Sequence, residues 1–586
     1  MTNRKSEDRR NFIKGATAAV AAGMTPFGIA EVEAKSAQSW DMEADVVVVG
    51  SGAAASSAAL FSSKHGASVI MLEKLPIFGG TTAKSDGVFW IPNNPLLKQR
   101  QVADPRDDAI RYMIRLSYPH LYNPKDPRYG AGENEYNLIA AFYDNASETI
   151  KELGEMGALK LSPWLSWDGD YFPDYYALFA ENKVPRGRGL VADVTGFPER
   201  AYHPGGGGNG AELIRQFRAA FDRLKIKSFS SHAVQRLIKN GKGEVIGVDV
   251  TDTANQKPLR IRARKGVIFG SGGFTHNLSH CNNFLRGPIF GGCAGTGSTG
   301  DFVNIGEAAG TALGNMNHAW WAQTPVELAL KNRSTPAGVW ITPGDSAIQV
   351  DRYGRRVLNE KMQYNERTQV HFEWDPVRGE YKNLVLFLIY DQRTADLYAG
   401  NMVIPGKGTL PDHVIKGATL AELAGKLEQR LESLSGKLGG FNLDASFGSN
   451  LTETVKRFNG FAESGKDADF HRGETPVESA FHFYGIPQVP NPFPNMTMHP
   501  IAGEGPYYAV LLGAGTLDTK GGPRINDKAQ VLDPWGKPIV GLYAAGNCTA
   551  HPAGQAYWGG GGTIGPGLTF GRLAAVNVAK EPVKSA

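Results

Sequence analysis

Apolar and polar positions along this chain fall into blocks that change period. Asp45 opens onto Val46, Val47, Val48 and Val49, a short, continuous, β-branched run that predicts a strand buried on both faces. Gly50-Ser51-Gly52-Ala53-Ala54-Ala55 breaks the run, a helical stretch follows to about His65, and Ala67 to Leu72 forms a second strand that stops at Glu73. Strand, tight turn, helix, strand and acid is the order of a βαβ unit with a parallel sheet. Much later, Gly417 to Leu434 has the pattern of an amphipathic helix, and Leu568 to Val578 is again helix-like. Proline and glycine around Pro405 to Gly408 and Pro487 to Pro494 mark loops, and no internal repeat is visible. The alanine-rich run from Gly15 to about Ala30 is too short and too weakly apolar to span a membrane, and no second run of spanning length follows.

Composition narrows the class. A chain of 586 residues suggests roughly three or four domain-sized units. With 41% hydrophobic and 20% charged residues it reads as soluble and globular, and a net charge of +4 without basic blocks beside aromatics excludes nucleic acid as a partner. Glycine is the outlier, at 72 residues. Gly205 to Gly208, Gly291-Gly292 and Gly559 to Gly562 form runs without a period, which points to backbone approaching a cofactor and away from collagen or low complexity. Cys281, Cys293 and Cys548 have neither CxxC nor metal-ligand spacing, so no disulfide framework and no metal site are expected.

The first glycine turn carries the dinucleotide signal. Gly50 permits the turn, Gly52 lets a pyrophosphate approach the backbone, and Ala55 lets helix and strand pack closely. Ser51, Ala53 and Ala54 complete the turn and open the helix, whose N-terminus favours phosphate. Glu73 lies 21 residues beyond Gly52, placed for ribose hydroxyls.

The strongest chemical signal is near the end, in Gly546-Asn547-Cys548 through His551 to Tyr557-Trp558, Gly559 to Gly562 and Thr563-Ile564-Gly565. A phenol beside bare glycine amides is what stabilising a developing oxyanion requires. Trp164 to Tyr176 holds six aromatics, including Tyr171, Tyr175 and Tyr176, which suit either a pocket for a ring system or ordinary core packing. His551 suits a polar contact near the cofactor or a structural hydrogen bond equally well.

Two resemblances add to these readings. Asp8-Arg9-Arg10-Asn11-Phe12-Ile13-Lys14, the apolar run and Val32-Glu33-Ala34 together resemble a twin-arginine export signal over residues 1–34, which implies a periplasmic protein exported already folded with its cofactor. Lys74 to Asp86, Ser231 to Val234, Gly270 to Phe274, Gly300-Asp301 and Gly541 to Asn547 resemble the fumarate reductase and 3-ketosteroid dehydrogenase flavoprotein superfamily. That resemblance implies an α/β protein. A Rossmann-like FAD-binding domain at 40–324 and 500–586 is interrupted by an inserted α+β substrate or cap domain at 325–499, within which Thr454 to Gly473 is a further matching segment.

FAD is the implied cofactor. Lys74, Gly80, Thr81, Thr82, Ser85, Asp86 and Gly87 would lie along the flavin and pyrophosphate, and Ala233 and Val234 at the adenine. Gly272, Gly273 and Asp301 would join them, with Gly546 and Asn547 closing over the ribityl chain, followed by Gly562, Thr563 and Ile564.

Within that superfamily the chemistry divides. Fumarate reductases carry a proton-donating arginine five residues after the asparagine of a Gly-Lys/Arg-Arg-Phe-Val-Asn-Glu segment; here Gly354 to Glu360 is followed by Tyr364 at that position. No arginine or lysine lies between Gly546 and Phe570, and Arg367 is the nearest alternative cation. The chain is thus more similar to the 3-ketosteroid Δ1-dehydrogenases. Their pattern implies Tyr364 as the base for the alpha proton, Tyr557 and the Gly561 N–H on the ketone oxygen, hydride transfer to flavin N5, and Tyr175 as the expected assisting hydroxyl. Trp558, where those enzymes usually have proline, is expected to narrow the cavity and so to raise the chance of a smaller cyclic ketone such as a cyclohexanone derivative, with a steroid still the first substrate expected. A quinone or periplasmic carrier is the expected electron acceptor. The alternatives are a reductase of an unsaturated carboxylate and a flavoprotein electron-transfer subunit.

Overall fold

The computed structural model describes residues 39–194, 210–336, 338–484 and 486–585. The segment expected to be an export signal and Gly205 to Gly208 lie outside the described residues, and Met42–Ala586 is one compact unit. Its main sheet places five parallel strands in the order Pro538–Ala544, Lys257–Phe269, Met42–Val49, Val69–Leu72 and Lys227–Phe229. Gln530–Leu532 adds an antiparallel edge, and Val245–Asp252 and His232–Lys239 branch antiparallel from Lys257–Phe269. In Met42–Val49 the four valines are buried, as their unbroken apolar run requires.

Two helices cover the centre of that sheet. Ala53–Lys64 contributes mainly alanines and serines to the packing, and Ile564–Ala579 lies directly against it. Gly571 makes this approach possible, since a Cβ there would stand 2.5 Å from the Ala54 carbonyl oxygen. Ser57 Oγ then donates to the Leu568 carbonyl at 2.7 Å, which joins residues far apart in sequence.

A second, antiparallel sheet pairs Thr324–Pro325, Tyr507–Gly513, Val385–Asp391 and Ala347–Val350, with Val414–Gly417 on Tyr507–Gly513. This sheet runs past residue 499, because Tyr507–Gly513 takes its hydrogen bonds from Val385–Asp391. Leu420–Leu434 packs on it through Leu423, Leu427 and Leu431, which recur every fourth residue on one face. Thr419 caps this helix, accepting from the Glu422 amide at 3.1 Å, while Glu422 accepts from the Ala418 amide at 2.8 Å. Gly417 itself ends the preceding strand, so the helix begins three residues later than its apolar pattern suggests.

A small third sheet of Phe89–Trp90, Gly189–Ala192 and Leu161–Pro163 carries the aromatic run that follows it. Among the described residues no helix is long and apolar enough to cross a membrane, and no acidic, histidine and cysteine cluster suits a metal ion. The three cysteines are free.

Candidate functional site

One continuous cavity runs from the carboxyl ends of the central strands to the aromatic run. Val49, Leu72 and Phe269, the last residues of three parallel strands, line its floor. At Gly50 the backbone has φ +103°, and a Cβ would meet the Gly270 oxygen at 2.5 Å, so only glycine fits between these two strands. Gly52 occupies the N-cap of Ala53–Lys64 without a side chain to satisfy the first amides, leaving that end open to an anion. Thr82 Oγ1 accepts from the Ala53 amide at 3.1 Å.

Glu73 sits at the end of its strand, buried. Ser51 Oγ donates to one carboxylate oxygen at 2.6 Å and the Leu75 amide to the other at 2.9 Å, which orients the acid toward the cavity it lines. Lys74 pairs with Asp301 at 2.7 Å across the opening, and Thr81 Oγ1 accepts from the Gly295 amide at 3.0 Å. Ser51, Ala53, Ala54, Gly80, Thr82, Ser85, Asp86, Gly87, Val234, Gly272, Gly546, Asn547, Thr563 and Ile564 all face the same space.

Three expected cofactor residues do not line the cavity. Ala233 is replaced there by its neighbour His232, because successive side chains of a strand point to opposite faces. Gly273 instead makes room for Asp518 and Thr519; a Cβ would come within 2.5 Å of the Asp518 carboxylate. Gly562 lies under the Tyr557 ring, 3.3 Å from the place a Cβ would take.

The far end of the cavity gathers the phenols. Tyr175, Tyr364 and Tyr557, from three distant segments, all line it, and their ring centroids stand 5.1 to 5.7 Å apart. Tyr175 Oη donates to Tyr364 Oη at 2.7 Å. Burial pushes all three phenols above their ordinary value, and Tyr364 is opposed further by its two phenol neighbours. For Tyr557 the rise is offset in part by hydrogen bonding with Tyr364, Thr563 and the Gly561 backbone.

Each phenol is braced from outside. The Gln363 side chain caps the short helix Tyr364–Arg367 by accepting from the Asn365 and Glu366 amides, and Asn365 Oδ1 accepts from the Trp321 amide at 3.1 Å. Behind it Arg356 donates to both Glu360 and Asp467, with Arg472 on Glu360 as well, a fully buried ion network. Beside Tyr175, Asp174 accepts from Arg188 at 2.6 Å and from the Trp90 indole at 2.7 Å; burial pushes this acid up to about 6. Gly561 has φ +89° and would press a Cβ to 2.6 Å from the Phe89 backbone, while its carbonyl accepts from the Trp90 amide at 3.0 Å.

Trp558 does not narrow the cavity. Its indole points into the core, packed between Trp90 and Phe142, with Nε1 donating to Ser117 Oγ at 3.0 Å and to the Met113 carbonyl at 3.2 Å. Tyr557 and Trp558 lie on opposite sides of the loop, so only the first faces a ligand. Arg367 is also withdrawn: it is fully buried and donates to Gln323 and to the Glu360, Met362 and Val339 carbonyls. No arginine lines the cavity among the described residues. His551 accepts from the Ala553 amide at 3.1 Å and meets the Trp320 ring edge-on without itself lining the cavity.

Several cavity residues carry no local sequence signal. Trp320, Trp340, Phe481 and Leu517 line the phenol end, and of the aromatic run only Trp164 and Tyr175 do. Asp518 is the most connected, accepting from the Gly273 amide at 3.1 Å and from Asn547 at 3.3 Å. Its one local mark in the sequence is the glycine-rich turn Thr519-Lys520-Gly521-Gly522 that follows it.

Residues 45–564 match the FAD binding domain family. A 3-oxosteroid 1-dehydrogenase of Mycobacterium tuberculosis (strain ATCC 25618 / H37Rv) is 33% identical over 610 residues, covering 92% of this chain and 99% of its own. A 4-oxocyclohexanecarboxylate 2-dehydrogenase of Sinomonas cyclohexanicum is 30% identical over 559 residues, covering 92% and 93%. The crystal structure of 3-ketosteroid delta1-dehydrogenase from Sterolibacterium denitrificans in complex with 1,4-androstadiene-3,17-dione superposes with a TM-score of 0.74 at 25% identity, over 92% of this chain and 99% of that one.

Proposed function

Because the chain belongs to the FAD binding domain family and is an FAD-dependent oxidoreductase, we propose that it dehydrogenates a cyclic ketone between its alpha and beta carbons. The observation that carries this reading is the meeting of Tyr175, Tyr364 and Tyr557 at one end of the cofactor cavity, which no arginine lines among the described residues. A dicarboxylate would need cations there. A ketone needs hydrogen-bond donors on its oxygen and a base near its alpha carbon.

The residues divide that work. Tyr557 and the Gly561 N–H polarise the carbonyl, drawing charge onto its oxygen and weakening the alpha C–H bond. Tyr364 removes the alpha proton, and Tyr175, already hydrogen-bonded to it, stabilises whichever oxygen of the pair is ionised. Bound FAD supplies the two-electron acceptor for the beta hydrogen. Glu73, the Gly50–Gly52 turn and the open helix end hold the cofactor, while Trp164, Trp320, Trp340 and Phe481 exclude water from the reacting carbons.

A 3-ketosteroid stands first among the substrates, since the relatives named above act on 3-oxosteroids as well as on an oxocyclohexane and Trp558 leaves the cavity free. Twin-arginine export to the periplasm and reoxidation by a quinone or periplasmic carrier belong to the same proposal, resting on Arg9-Arg10 and the run that follows.

Anaerobic mixing of the flavin-loaded enzyme with 3-ketosteroids, cyclohexanones and unsaturated dicarboxylates tests it. Ketones should bleach the oxidised flavin. A panel in which no ketone bleaches it, while a dicarboxylate recolours the reduced flavin, rejects the reading.

A further inference from the structure

The proposed chemistry leaves one buried cation unused. Lys520 is fully buried in the loop after strand Gly515–Thr519, and its ammonium donates to the Ala556 carbonyl at 2.8 Å. Its Nζ also stands 4.0 Å from the centroid of the Trp320 ring, within cation–π range. No carboxylate lies within ion-pair distance among the described residues.

Both partners of this ammonium support Tyr557. Ala556 immediately precedes it, and the Trp320 ring packs on the Tyr557 ring with centroids 4.7 Å apart. The same indole donates through Nε1 to Asn547 Oδ1 at 3.0 Å, on the loop that Tyr557 follows. One indole therefore separates the ammonium from the phenol. A buried ammonium without a carboxylate opposes folding, and an apolar side chain of the same length would fill this space without that penalty.

Resting on the assignment of Tyr557 to the ketone oxygen, we propose that Lys520 is a positioning residue for that phenol. Its ammonium fixes the Ala556 carbonyl and the Trp320 face, and places positive potential at the end of the cavity where the oxygen gains negative charge. The groups that face it are Glu366, whose charge favours the ammonium, and the imidazoles of His318 and His551. Burial, followed by the Lys520 charge, holds both imidazoles well below their ordinary value, His318 at about 3. Burial likewise pushes Lys520 down to about 7, so of these three bases only Lys520 changes charge near neutral pH.

Lys520→Met tests the inference through two separate readouts. In the first, kcat and KM are followed against pH with a ketone that bleaches the flavin. The expected result is a variant that keeps its flavin, loses about ten- to a hundredfold in kcat, changes KM by less than about threefold, and no longer shows the ionisation near neutral pH. The second readout needs no turnover. In the unfolded chain Lys520 stays protonated to its ordinary value of 10.5, whereas in the fold it releases its proton near 7; wild type should therefore gain stability relative to Lys520→Met as pH rises from about 7 to about 10.

Superimposable kcat profiles for wild type and variant overturn the proposal, as does a fall in kcat that only tracks lost flavin. Should Lys520→Met fail to fold, Trp320→Phe and Trp320→Leu decide: the ring-preserving variant should keep the neutral ionisation and the other lose it, and identical profiles overturn the proposal. If no ketone bleaches the flavin, the assignment of Tyr557 falls and this inference with it. If ketones bleach it and Lys520→Met matches wild type, only this inference falls.

Discussion

The turn that receives the cofactor and the corner that holds the phenols share one cavity but are made of different material. At the turn, Gly50, Gly52 and Gly270 bring bare backbone together, and the space for a ligand exists because side chains are missing. At the corner, Tyr175, Tyr364 and Tyr557 come from segments nearly two hundred residues apart, and hydroxyls held by outside braces make the site. The first should fail when atoms are added, the second when atoms are removed. Losing the first should also remove the fold around it, whereas the second can lose its chemistry and stay folded.

The largest expected effect is therefore Gly50→Ala. Its Cβ would sit 2.5 Å from the Gly270 oxygen at φ +103°, and Gly270 cannot retreat, since its own free side is filled by Ala55. We expect loss of bound flavin and destabilisation of roughly 3 kcal/mol or more, read as flavin-to-protein ratio and denaturant midpoint. Gly66→Ala is the matched control, because its φ is +79° but nothing lies near the added carbon; about 1 kcal/mol is expected there, with full flavin content.

Next comes Tyr364→Phe. Removing the base should lower kcat by roughly a hundred- to ten-thousandfold while flavin content and melting temperature stay close to wild type. Tyr175→Phe keeps the base and removes the donor at 2.7 Å, so its loss should be smaller, about tenfold, in line with one charge-assisted hydrogen bond. If the two losses are equal, the pair shares the proton and neither residue is the base alone.

The same phenols set a pH dependence. Burial raises all three above the ordinary phenol value of 10, so the ionised base is scarce at neutral pH and kcat/KM should climb on the alkaline side once the Lys520 ionisation near 7 is passed. Stability should move the other way above about 10, where the unfolded chain releases phenol protons that the folded protein keeps. Stopped-flow bleaching and chemical unfolding, each followed to high pH, check the two trends. A flat kcat/KM across that range would take Tyr364 out of the base role.

The contrast also explains what could be read from the residues. The Val46 to Val49 run, the Gly50–Gly52 turn and Glu73 are close in sequence, and each local preference there agrees with the fold, so element order and cofactor class were legible. Tyr557 stands out locally as a phenol beside bare glycine amides, Tyr364 only through resemblance, and their meeting with Tyr175 depends on long-range docking, such as Asn365 on the Trp321 amide, that no local pattern encodes. Ala233, Gly273 and Gly562 stand off the cavity lining, and for the two glycines the reason is that a missing side chain makes room for protein as readily as for a ligand: Gly273 yields to Asp518, and Gly562 to Tyr557. Trp320 and Lys520 carry no signal of their own, since a tryptophan after a polar loop and a lysine in a glycine-rich turn are ordinary features of a sequence.

Trp558 supplies the smallest expected effect and the finest test of the comparison. It adjoins Tyr557 in sequence, yet its indole is locked between Trp90 and Phe142, and its N–H reaches Ser117 and Met113. Tyr112 Oη donates at 2.6 Å to the Trp558 carbonyl, so the loop is tied to the core through side chain and backbone together. Trp558→Phe removes the indole donor and leaves the backbone tie, which should cost about 1 to 2 kcal/mol of stability and leave kcat and KM for a steroid within about twofold of wild type. A side chain that bounded the cavity would act differently: trimming it would widen the range of ketones accepted and alter KM most for the bulkiest. Comparing KM for a steroid and a cyclohexanone in this variant separates the two. If the ratio of the two KM values stays put while the melting temperature drops, then neighbouring residues on one loop serve the two halves of the site separately, Tyr557 as substrate contact and Trp558 as the anchor that holds it there.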